Sequence, residues 1–85
     1  MIKSSNLKEM PEQPHLQKGI YRHYKNRKLY EVIGVAVHTE TDEPMVIYKP
    51  LYESEIELFV RPYGIFIGSV DINGQIVPRF KMIKP

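Results

Sequence analysis

The chain has 85 residues, no cysteine, and 12 Lys and Arg against 10 Asp and Glu, for a formal charge of +2. That length holds one domain with a small core, which excludes a deep substrate cavity, and the missing cysteines exclude disulfide staples and a thiol nucleophile. The near-balanced charge gives no large field toward a phosphate backbone.

Residues 1–17 carry Pro11 and Pro14 and sustain neither helical nor strand periodicity. They read as a flexible N-terminal arm, in which Asn6–Met10 has turns enough only for a marginal short helix. The folded domain is expected over residues 18–85. No apolar signal core is visible, and the longest apolar run, Val32–Val37, is about a third of a membrane-spanning helix. A soluble, cytoplasmic protein without a membrane partner is expected.

From Gly19 the pattern turns to strands. Ile20–Tyr24 alternates, with Tyr21 and His23 on one face. Lys25–Lys28 is a turn. Leu29–His38 is apolar on both faces after Glu31, which predicts a central strand, with Tyr30, Val32, Gly34, Ala36 and His38 sharing a face. Gly34 marks a bend, a bulge or a close backbone approach. Six polar residues, His38 to Glu43, and Pro44 then form a hairpin loop. Met45–Lys49 is the next strand, limited by Pro50, which has no N–H to donate. Glu53–Glu55 is a turn and Glu57–Arg61 a fourth strand, ended by Pro62. Tyr63–Phe66 forms one helical turn. Ser69–Ile72 leads into Asn73-Gly74, a strong signal for a type I′ hairpin turn. Gln75–Met82 is the return strand, with Pro78 at an edge position or a bulge.

Five or six short antiparallel strands and one helical turn predict an all-β fold. At this size the strands must curl on themselves to bury a core. A small, partly open SH3-like barrel is the first expectation, and an OB-like barrel the second.

Chemistry has few places to reside. His38, Glu40 and Glu43, with His23, are the candidate metal ligands, but no dense ligand spacing fixes a cage, and no metal or cofactor is expected. His23 and His38 titrate near neutrality and are the eligible acid–base groups for a simple hydrolase, although no nucleophile motif accompanies them. Six tyrosines fall in or beside strands. Aromatic side chains on a small barrel fill its core or make a shallow platform for peptides, bases or flat ligands. Arg22, Lys25, Arg27 and Lys28 beside Tyr21 and Tyr24 have the composition of a weak nucleic-acid patch, which makes RNA or single-stranded nucleic acid the alternative partner.

Certain pieces, in order, resemble a family of small bacterial proteins, domain of unknown function 1653. Its Gly-x-Tyr-x-His-Tyr-Lys opening is matched by Gly19, Tyr21, His23, Tyr24 and Lys25. Its His-x-Glu-Thr-x-Glu loop is matched by His38, Glu40, Thr41 and Glu43, and its Val-Arg-Pro piece by Val60, Arg61 and Pro62. Phe59 stands where the family usually has tryptophan, Asn73-Gly74 where it has Asp-Gly, and Ile67–Ser69 replaces a more acidic stretch. The resemblance covers roughly residues 18–82 and implies a bacterial origin and no particular reaction.

The residues lead to a binding or adaptor module for a small molecule or peptide. If the first two strands pair antiparallel, Tyr21, His23, His38, Glu40 and Tyr48 are expected to gather at one rim, with Arg61 as an anion anchor. A monomer or a weak homodimer through an open strand edge is expected.

Overall fold

The computed structural model describes residues 13–85. The expected Asn6–Met10 helix and most of the expected arm lie outside those residues. The last part of that stretch touches the domain: Leu16 packs against the core, and the Gln17 carbonyl accepts a hydrogen bond from the Tyr21 hydroxyl at 2.7 Å.

The described chain is all-β with one helical turn. Its elements are β1 (Gly19–His23), β2 (Leu29–Val37), β3 (Pro44–Pro50), β4 (Phe59–Pro62), α1 (Tyr63–Phe66), β5 (Ser69–Ile72), β6 (Gln75–Pro78) and β7 (Phe80–Lys84). A five-stranded sheet runs in the order β4-β3-β2-β1-β7, and β5 and β6 form a separate hairpin. All pairs are antiparallel. The expected single return strand over Gln75–Met82 is divided at Arg79. Pro78 ends β6, and β7 leaves the hairpin to join the large sheet beside β1. A proline inside a central ladder would cost a hydrogen bond, so the break falls beside it.

Among the described residues the sheet does not close by hydrogen bonds, since β4 and β7 remain its edges. Yet Tyr48 of β3 lies 5.4 Å from the Phe80 ring of β7, and the Arg61 guanidinium of β4 sits 5.3 Å over that ring. In a flat sheet of this order β4 and β7 would stand about 19 Å apart. The sheet therefore curls until its two edges meet through side chains.

Inside the curl lie Tyr21, Tyr30, Val32, Val46, Tyr48, Phe66 and Phe80, five of the seven aromatic. α1 starts where Pro62 ends β4 and delivers Phe66, which is 1% exposed and stacks on Phe80 with centroids 4.0 Å apart and rings 7° from parallel. Burying one such ring is worth about 2–3 kcal/mol. The buried tyrosines keep their hydroxyls bonded, as a low-polarity interior requires: Tyr21 to Gln17, Tyr30 to Asn26 and Tyr52, Tyr48 to Arg61.

Two backbone details set the faces. Val32 opposes Tyr48 while Gly34 opposes Ile47, so Ile33 is the extra residue of a bulge. The bulge reverses the alternation, and Val35, opposite the fully buried Val46, packs on the core. The expectation that Gly34, Ala36 and His38 continue the face of Tyr30 and Val32 is corrected by this one inserted residue. At the other edge, a Cβ on Gly19 (φ +154°) would sit 2.7 Å from the Lys84 carbonyl oxygen, so only glycine lets β7 approach there. The Asn73-Gly74 turn has positive φ at both residues (53° and 87°), as expected for type I′. Among the described residues no helix is long and apolar enough to cross a membrane.

Candidate functional site

The turn after β1 fixes two side chains at once. His23 N–H donates to the Lys28 carbonyl and Arg27 N–H to the His23 carbonyl, both at 3.0 Å. Inside that turn Lys25 N–H donates to His23 Nδ1 at 3.1 Å, and Lys28 N–H donates to Asn26 Oδ1 at 2.8 Å. Because Nδ1 accepts, the neutral imidazole carries its proton on Nε2, which is left as a donor. Asn26 Nδ2 donates to the Tyr30 hydroxyl at 2.9 Å, and Tyr30 shares a 3.0 Å bond with the Tyr52 hydroxyl. That bond, and burial after it, push the Tyr52 phenol up to about 12.

Strand pairing then brings distant residues to the same place. His23 lies opposite Phe80, Tyr21 opposite Tyr30, Tyr48 opposite Phe59, and Val46 opposite Arg61. The result is an open cavity of about 180 Å³ lined by His23, Asn26, Tyr30, Tyr48, Phe59, Arg61 and Phe80. The His23 ring meets Phe80 edge-on at 4.8 Å. Arg61 Nε donates to the Tyr48 hydroxyl at 3.1 Å, with its guanidinium over Phe80.

Among the described residues no carboxylate lines the cavity. Burial, then the charges of Arg61, Arg79 and Lys25, hold the His23 imidazole below its ordinary value of 6.5. The Arg79 Nε atom is buried and makes no hydrogen bond among the described residues. The site is thus a neutral histidine and a ring-held guanidinium in a locally positive, aromatic-walled hollow.

Of the residues expected at one rim, His23, Tyr48 and Arg61 share this cavity. Tyr21 lies beneath it in the core, edge-on to Phe66 at 5.6 Å, with its phenol raised by burial and by Tyr63. His38 and Glu40 are elsewhere. Arg22 pairs with Leu29, so His23 lies at the start of β2, whereas His38 follows the far end of that strand, about 25–30 Å away. There His38 Nδ1 accepts the Glu40 N–H at 3.1 Å within an exposed turn, which His38 N–H and the Glu43 carbonyl close at 2.8 Å. The expected approach of His23 to His38 and Glu40 is corrected by this register. Among the described residues no group of three or more His, Cys, Asp or Glu is placed to hold a metal ion.

Asn26, Tyr30, Phe59 and Phe80 were not among the expected site residues. Asn26 carried a signal, since a turn Asn commonly accepts from the backbone N–H two residues on, here that of Lys28. Phe80 carried none, because only the pairing of β1 with β7 brings it in. The basic turn divides. Arg22, Tyr24, Lys25 and Arg27 line a separate hollow, while the Lys28 ammonium sits 4.3 Å over the Tyr52 ring.

The family model for a protein of unknown function, DUF1653, matches residues 19–82. The chain belongs to the DUF1653 family. A crystal structure of a DUF1653 protein from Bordetella bronchiseptica is 34% identical, covers 82% of this chain and 94% of its own, and superposes with a TM-score of 0.71. Comparison with curated proteins gave no match. Of the pieces that carried the resemblance, the first includes Gly19, which admits β7, and His23, which lines the cavity; the Val60-Arg61-Pro62 piece includes Arg61, which lines the cavity, and Pro62, which ends β4. The piece from His38 to Glu43 builds the distant turn.

Proposed function

We propose that this DUF1653 domain is a binding module whose His23–Arg61 cavity takes a small planar carboxylate, free or as the end of a short peptide. The observation that carries this reading is the Arg61 guanidinium. It is fixed by the Phe80 ring and the Tyr48 hydroxyl in a hollow that no carboxylate lines among the described residues. A guanidinium so oriented offers its remaining N–H groups as a fork to two carboxylate oxygens. His23 adds an Nε2 donor, and Tyr30, Phe59 and Phe80 supply apolar faces for a flat group. At about 180 Å³ the cavity is below the size of drug-binding pockets, so the ligand is small. Zero cysteines fit a reducing compartment, and we place the domain in the bacterial cytoplasm.

Benzoate is the probe. In an NMR titration it is expected to saturate with a millimolar dissociation constant and to shift His23, Tyr48, Phe59 and Phe80. Benzylammonium, of similar shape and opposite charge, is expected to shift none of them. Arg61→Gln removes a charged hydrogen bond worth about 1.5–3 kcal/mol, so benzoate binding falls at least about tenfold. Equal binding of both probes, or no loss in Arg61→Gln, would refute the assignment.

A further inference from the structure

A second hollow, about 610 Å³, opens beside the same turn, between the β1–β7 pair and the β5–β6 hairpin. Its cations come from three segments: Arg22 on β1, Lys25 and Arg27 in the turn, and Lys81 on β7. Arg22 and Lys81 are direct cross-strand partners. Like charges in that position repel and work against the pairing. Elsewhere on the sheet the corresponding pair is of opposite sign, Glu31 beside Lys49. Among the described residues no Asp or Glu lines the hollow to offset its four cations.

The rest of the lining decides what kind of anion fits. Tyr24 lines the hollow while leaning on the His23 ring at 5.0 Å, which fixes one side of the phenol. Val77 and Pro78 of β6, with Ile72, make an apolar wall. Cations along an open groove with a fixed aromatic ring are the parts that bind a single strand: phosphates track the cations, and a base stacks on the ring. An acidic peptide would use the cations and leave ring and wall idle. We infer that this groove is a binding site for single-stranded nucleic acid, distinct from the His23–Arg61 cavity, with Tyr24 as the base platform.

Fluorescence anisotropy of the full chain with a labelled uridine strand of about ten nucleotides tests this. The logarithm of affinity is expected to fall linearly with the logarithm of salt, with a slope near about −3 for four phosphate contacts, and to flatten by about 1.4 in Lys25→Ala/Arg27→Ala. Tyr24→Ala is expected to weaken binding about tenfold and Tyr24→Phe to leave it intact. An abasic strand of the same length should bind wild type about tenfold more weakly, a readout that needs no variant to fold. Saturating benzoate should leave the strand bound. Equal affinity for the abasic strand, or equal competition by polyglutamate, would overturn the inference in favour of a general polyanion or acidic-peptide surface. Displacement by benzoate would overturn its separateness from the cavity.

Discussion

His23 and His38 use their imidazoles identically in the backbone and end in different surroundings. Each Nδ1 accepts the N–H two residues ahead at 3.1 Å, so each histidine organises the turn that follows it. His38 stays exposed in a loop whose other bonds are local. His23 has Phe80 opposite it, contributed by the last strand of the chain, and Arg61 beside it, contributed by β4. The difference teaches that a polar turn becomes a site only when distant strands enclose it. Local sequence makes both turns; the curl of the sheet makes one cavity.

The comparison is most easily broken at the ring stack that holds the His23 end together. Phe66→Ala is expected to cost about 3–5 kcal/mol in urea unfolding, a large share of the stability of so small a domain. Thr39→Ala, in the exposed His38 loop, is expected to stay within about 0.5 kcal/mol. The two histidines separate next. His38→Ala loses one exposed turn bond, about 0.5–1 kcal/mol. His23→Ala loses the same bond and its edge contact with Phe80, for about 1–2.5 kcal/mol. Equal costs for the two would mean that the enclosure of His23 contributes nothing.

A pH series sharpens the same point with a smaller effect. The folded His23 value lies below the unfolded value of 6.5, so the unfolded chain takes up this proton first. The contribution of His23 to stability is therefore fully present above the unfolded value. It is lost as pH falls through 6.5 and on through the lowered folded value, below which it levels off. His23→Gln is expected to flatten that part of the wild-type stability profile, measured by denaturant midpoints across the window.

Much of the fold was legible in the sequence. The alternation in β1, the polar loop after Val37, the single helical turn after Pro62 and the Asn73-Gly74 hairpin each rest on a local preference that tertiary packing left in place. The bulge at Ile33 was legible only as a glycine beside it, and one inserted residue was enough to exchange Gly34 for Val35 on the core face. The division of the last strand at Arg79 depended on which sheet β7 would join, which Pro78 alone does not say. The site was half legible for the same reason. The four-residue turn after His23 already sets that residue beside Lys28, just before β2, so the distance to His38 at the far end of β2 follows from counting. That Phe80 and Arg61 converge there follows only from the curl, which no local pattern encodes.

The most direct measurement is the NMR titration of the His23 imidazole, alone and with saturating benzoate. Without ligand it is expected to titrate below 6.5, and Arg61→Gln to raise it by removing a neighbouring positive charge. A bound carboxylate favours the imidazolium, so benzoate is expected to raise it in the wild type, with binding correspondingly tighter as pH falls toward 6. A His23 titration curve that benzoate leaves unmoved would contradict the claim that this cavity receives an anion.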